Sequence, residues 1–154
     1  MIPLKDAIEN SLYLNCEYNQ YKGEFIQFRL RILSFRKINL SEVDEPEKIK
    51  TIDSNANYWL MEIEVINLFK QPLHPIYGPN KLVLIDQDGF EFHVTDDTHL
   101  RLSSEFSKRT KMNRFYITDL IPKTKAIGAI SFQLPDDDEA IYSISLKDGN
   151  ISEA

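Results

Sequence analysis

The sequence predicts an all-β fold, an antiparallel sandwich with at most one short helix near its N-terminus. Three observations carry that prediction. Apolar residues recur at every second position in several separate stretches, turn-forming residues divide those stretches, and no strand-like stretch alternates with a helical one. Six or seven strands joined in this way make a sandwich or barrel, not an α/β fold.

Only residues 4–14 have helical spacing, through Leu4, Ile8 and Leu12. From Phe25 onward the period is two. Ile26, Phe28, Leu30 and Ile32 alternate with Gln27, Arg29 and Arg31, which describes a half-buried strand. After Ile32 the apolar phase moves to Leu33 and Phe35. A one-residue slip would turn the apolar set outward, so a bulge or strand switch is expected near Leu33 and Ser34. Residues 41–57 are polar and acidic and read as a long loop.

The strand over 58–69 is the strongest signal. Trp59, Met61, Ile63 and Val65 are expected inward, with Glu62 and Glu64 in water and Asn67 ending the alternation. Pro72, Pro75 and Gly78-Pro79 then break the chain into turns. Residues 81–85 and 90–94 flank Asp86-Gln87-Asp88-Gly89 as a hairpin, with Phe90, Phe92 and Val94 expected inward. Residues 95–113 are polar and irregular, with Leu100, Leu102 and Phe106 able to tack the segment down. Alternation returns in Ala126, Gly128, Ile130, Phe132 and Leu134, stops at Pro135, and resumes after an acidic turn in Tyr142, Ile144 and Leu146.

Composition bounds the function classes. The 154 residues suffice for one domain, and nine Phe, seven Tyr and one Trp supply a dense core. The expected division is an N-terminal extension over 1–22, the sandwich over 23–147 and a tail over 148–154. A net charge of −6 disfavours general binding to phosphate backbones or anionic lipid. Cys16 has no second cysteine to pair with and is expected to be buried. The first ten residues carry acids where a signal peptide has its apolar run, and no window approaches the roughly 18 apolar residues of a membrane span. A cytoplasmic location is the expectation, an extracytoplasmic one the alternative if a leader precedes this sequence.

One constellation is similar to a known family. It comprises an alternating strand ending in Asn67, an Asp86-x-Asp88-Gly89 hairpin, an aromatic strand, Leu120-x-Pro122, and Gly128-x-Ile130-x-Phe132-x-Leu134-Pro135 before a closing strand that ends in Leu146. Over roughly 23–147 the chain resembles the bacterial immunoglobulin-like domains of unknown function often carried on secreted lipoproteins. The resemblance implies an immunoglobulin-like antiparallel β-sandwich and brings no catalytic residues. The chain departs from the pattern in lacking a signal and lipidated cysteine, and in having Lys123 where a glycine usually follows the proline.

There is no Gly-rich phosphate loop, nucleophile elbow, His-Glu-x-x-His or Cys-x-x-Cys in the sequence. His93, Asp96, Asp97 and His99 gather two imidazoles and two carboxylates within seven residues, a set suited to a divalent transition metal. The plainer account is a strand end whose aspartates open a loop by bonding their own backbone. Asp86-x-Asp88-Gly89-x-Glu91 resembles the first half of a calcium loop, but the strand that follows favours a hairpin turn. A second cluster is basic. Arg101, Lys108, Arg109, Lys111 and Arg114 lie beside Phe106, Phe115 and Tyr116, a mixture that can grip phosphate or an acidic protein surface. Its plainer account is a solvated loop balancing acids elsewhere.

The leading reading is therefore a non-enzymatic binding or accessory module, needing no cofactor, that contacts another protein through its charged loops over 41–57 and 95–113 or through an exposed sheet face. The alternatives are a small metal- or ligand-binding protein using residues 93–99, an enzyme whose site assembles from distant residues, and nucleic-acid binding through the basic loop, the last disfavoured by net charge. Sandwich edges need covering, which leaves homo-oligomerisation open.

Overall fold

Period-two patterning gives each long strand one apolar face, and two such sheets stack to bury those faces against each other. The computed structural model describes residues 1–19, 23–38, 43–44, 56–74, 77–95, 101–102 and 119–154. Along them run β1 (Ile2–Pro3), α1 (Leu4–Glu9), β2 (Tyr13–Asn19), β3 (Phe25–Lys37), β4 (Val43–Asp44), β5 (Ala56–Asn67), β6 (Leu82–Ile85), β7 (Glu91–His93), β8 (Arg101–Leu102), β9 (Lys125–Pro135), β10 (Ser143–Leu146) and β11 (Gly149–Glu153). The chain is an all-β antiparallel sandwich. One sheet has the order β11-β2-β3-β5-β9, the other β1-β10-β6-β7, and β4 pairs with β8.

The bulge falls where the pattern slips. Ile32 pairs with Ile63 and Ser34 with Glu62, so Leu33 is the extra residue. The inward sets match the alternation: Ile26, Phe28, Leu30 and Ile32 on β3, Met61, Ile63 and Val65 on β5, and Ile130, Phe132 and Leu134 on β9 are all buried. Cys16 is 1% exposed, and burial pushes its thiol pKa far above the ordinary value, which keeps it protonated and unreactive.

The one short helix expected near the N-terminus is α1, which ends at Glu9. Several expectations are corrected. The residues after that helix form a strand, on which Leu14, Cys16 and Tyr18 alternate inward in β2. The segments read as extension and tail enter the sheets, since β1 covers the edge of β10 and β11 pairs with β2. Phe90 is 65% exposed instead of inward. It lies in the turn beyond the last ladder pair, Ile85 with Glu91, where no facing strand covers it. Glu64, expected in water, is 8% exposed; its Oε2 accepts from Arg31 Nη2 at 3.3 Å and its Oε1 lies 3.8 Å from Lys125 Nζ. Paired in this way, the charge tolerates burial.

Two segments pass from sheet to sheet. Lys147 and Asp148 carry β10 into β11, with Asp148 at a φ of 58° and Gly149 pressed beneath β2. On the other side, Val94 leaves β7 to bridge Phe132, and Thr95 N donates to the Ser131 carbonyl at 2.9 Å. Asn67 is a third tie. Fully buried at the end of β5, it donates through Nδ2 to the Gln71 and Leu120 carbonyls at 2.9 and 2.8 Å and accepts from Phe69 N at 2.8 Å.

Candidate functional site

An apolar groove of about 470 Å³ lies at one end of the sandwich, between α1 and residues 137–142. Its parts come from four regions of the sequence. Leu4 and Ala7 bury the inner face of α1, and Leu4 N donates to the Tyr142 carbonyl at 3.0 Å, tying the helix to the strand that leads into β10. That anchoring leaves Ile8 on the groove wall. Trp59, early on β5, and Phe35, late on β3, stack with ring centroids 4.9 Å apart, and Phe35 meets Phe132 edge to face at 6.4 Å. Leu134 and Tyr142 complete the floor. Tyr142 in turn packs edge to face against Phe92, which fixes its ring.

The rim is acidic. Glu9, Asp137 and Asp138 face Lys5, whose Nζ lies 3.9 Å from Glu9 Oε1. Asp137 Oδ1 accepts from Glu139 N at 3.0 Å, an aspartate turn that fixes the loop on the groove's edge. Burial, and then the carboxylates of Asp86 and Asp137, push the Tyr142 phenol above its ordinary pKa, so negative charge is felt at the groove floor. Ile141, 69% exposed, stands on the rim, and its backbone N is held by Gln87 Oε1 at 2.8 Å. Among the described residues, the lining offers apolar contact, ring faces and carboxylates.

Of the residues singled out from sequence, the described ones lie outside this groove. His93 is exposed on β7, with Nε2 3.4 Å from Glu91 Oε2. Asp96, Asp97 and His99 fall outside the described residues, and among the described residues no three His, Cys, Asp or Glu side chains are grouped to hold a metal. In the calcium-like segment, Asp86 Oδ1 is taken by the backbone N–H groups of Asp88 and Phe90, both at 2.9 Å, and Gly89 has a φ of 87°. This is a hairpin turn. Of the basic cluster, Arg101 pairs through its backbone with Asp44, while Lys108, Arg109, Lys111 and Arg114 lie outside the described residues. No helix of the described residues is long and apolar enough to cross a membrane.

Sequence reasoning did not find the groove. Its floor was read as ordinary core, and only one feature marked it in advance: Trp59, the single tryptophan, sits at the start of a core strand where cover runs out.

No protein-family model matches the chain, and no curated protein is similar to it. Among solved structures, it is similar to a conserved hypothetical protein from Bacillus anthracis, determined by crystallography at 2.2 Å. The two share 9% sequence identity and a TM-score of 0.51 over 92% of this chain and 96% of the other. That likeness concerns the fold alone.

Proposed function

We propose that this chain is a non-enzymatic binding module that holds a segment of another protein in the groove between α1 and residues 137–142. The observation that carries the reading is the stacked Trp59–Phe35 pair, half-buried against the core with its open side lining an apolar groove. Concave apolar sites with a few polar groups at the rim are where proteins take ligands, and aromatic rings supply much of the energy.

The immunoglobulin-like resemblance belongs to the same proposal. It is supported by the meeting in space of residues that are far apart in its motif: Asn67 bonds the Leu120 carbonyl and bridges Pro122. Lys123 has a φ of 63°, the left-handed conformation that a glycine at this position adopts freely.

Site-specific photo-crosslinking in the native host tests the function. A photoreactive side chain replaces Ile141 on the groove rim or, as control, the exposed Phe25 at the far end of β3 from Phe35. The ten residue steps from Phe25 to Phe35 span roughly 30 Å. The expected result is a protein adduct from position 141 that position 25 does not give. No adduct at 141, or the same adducts at both positions, refutes the reading.

A further inference from the structure

We infer that the occupant of the groove is a cationic peptide segment, a bulky apolar or aromatic side chain flanked by lysine or arginine. This rests on the binding-module reading above and specifies its ligand. The floor, with Trp59, Phe35, Leu134 and Ile8, takes an apolar anchor, and the same ring faces accept a guanidinium or ammonium stacked on them. The rim sets three carboxylates, Glu9, Asp137 and Asp138, against one cation, Lys5, which already leans on Glu9. An anionic ligand entering there meets repulsion from these carboxylates, and the chain's net charge of −6 adds to the field that draws a cation in.

The backbone around the groove indicates how the segment is read. Pro3 and Pro135 line it and have no N–H to offer, the Pro135 carbonyl accepts from Asp137 N at 2.9 Å, and the Ile141 N–H is held by Gln87. These groups are therefore closed to strand addition, and recognition is assigned to side chains entering the groove. At about 470 Å³ the groove is of the size that takes a ligand or a few side chains, not the face of a folded domain.

A random-peptide phage library panned on the full chain tests this. The strongest binder is synthesised, its affinity is measured by calorimetry at low and high salt, and its site is mapped by NMR on the Trp59 indole and the Ala140 and Ile141 amides. Selected peptides should combine lysine or arginine with a bulky apolar residue, shift those signals, and lose affinity as salt rises. Asp137→Asn with Asp138→Asn should weaken binding by roughly threefold to thirtyfold, as expected for two exposed charge pairs, and flatten the salt dependence. Glu9→Gln, on the separate scaffold of α1, should act in the same direction, so the test does not depend on how the 136–139 turn tolerates change.

If the selected peptides are neutral or acidic and shift the groove signals with affinity unchanged by these substitutions, the cationic ligand is refuted while the groove remains the contact. Peptides that leave the Trp59 and Ile141 signals unmoved, or the absence of any binder, overturn both readings. Groove signals that shift with protein concentration alone assign the face to a second copy of this chain and overturn the peptide proposal.

Discussion

Replacing Asn67 by alanine should be among the most damaging single changes in this chain, and its cost can be worked from the geometry. The side chain makes three hydrogen bonds of 2.8–2.9 Å at a fully buried site, one as acceptor from Phe69 N and two as donor to the Gln71 and Leu120 carbonyls. Each contributes about 0.5–1.5 kcal/mol net, and an orphaned buried donor costs about 1–3 kcal/mol more. Phe69 N becomes such an orphan, whereas the Leu120 carbonyl keeps its bond from Leu73 N at 3.0 Å. Together these terms come to about 2.5–7.5 kcal/mol, and because Phe69 is only half-buried the expected loss lies in the lower part, about 3–4 kcal/mol, a large share of the roughly 5–15 kcal/mol that stabilises a domain.

Asn67→Asp separates hydrogen bonding from shape. The carboxylate still accepts from Phe69 N, but its second oxygen now faces the two carbonyls that Nδ2 served. Burial and those carbonyls raise its folded pKa above the unfolded value of about 3.9. A group raised in this way is harmless below its unfolded pKa and costs stability as pH rises through the folded one. The aspartate variant should therefore be less stable than the alanine variant at pH 7 and recover toward it near pH 4. Urea unfolding followed by Trp59 fluorescence and circular dichroism measures both, with an unchanged denaturant slope showing that only stability moved. An alanine variant that loses under 1 kcal/mol, or an aspartate variant as stable as wild type at pH 7, refutes the role assigned to this residue.

Three further outcomes are expected. Gly149→Ala places a Cβ 2.4 Å from the Glu17 carbonyl and 2.6 Å from Tyr18 Cβ; it should cost about 2–3 kcal/mol in chemical denaturation, with β11 amides exchanging first. Lys123→Gly relieves a φ of 63° at an exposed turn, worth about 1–2 kcal/mol, and after the glycine's extra unfolded entropy should still stabilise by about 0.5–1 kcal/mol; a lower melting temperature would contradict it. Burial raises the Glu62 carboxyl above its ordinary pKa, so its penalty is absent in acid and appears as pH rises through the folded value. Glu62→Gln should then raise the melting temperature at pH 7, with the gain gone near pH 4; an equal gain at both values would refute the cause.

The long strands were legible because the core-facing positions of each carry its large apolar side chains, which writes period two into β3, β5 and β9 even where the other face is also covered, as in the middle of β5 and β9. Where that contrast fails, the signal fails. β2 alternates through Leu14, Cys16 and Tyr18, but Leu4, Ile8 and Leu12 impose a competing helical spacing just upstream. β11 has one apolar residue, Ile151, in five and is held by its backbone ladder to β2. Glu64 shows a different limit. Residue type predicts water for a carboxylate, but its burial depends on Arg31 and Lys125, which reach it from neighbouring strands that are remote in sequence. The groove is the extreme case, since residues 3–9, 35, 59 and 134–142 meet only through the fold.

One feature connects the legible part of the chain to the part that was not. In an unbroken ladder after Ile32, Leu33 would oppose Glu62 and Ser34 would face Met61, turning Phe35 out to the far side of the sheet. The bulge absorbs Leu33, so Ser34 opposes Glu62 and Phe35 pairs with Met61 on the inner face. There its ring meets both Trp59 and Phe132. The groove floor is therefore a consequence of the single extra residue in β3. Deleting Leu33 should leave that floor in place, because the regular ladder it restores carries the same pairing, whereas deleting both Leu33 and Ser34 should set Phe35 opposite Glu62 and turn it outward. The Trp59 emission spectrum distinguishes the two: near wild type for the single deletion, shifted to the red for the double deletion as Trp59 loses its stacked neighbour and gains water. A red shift in the single deletion with none in the double would mean that the phase of Phe35 is set by something other than the bulge.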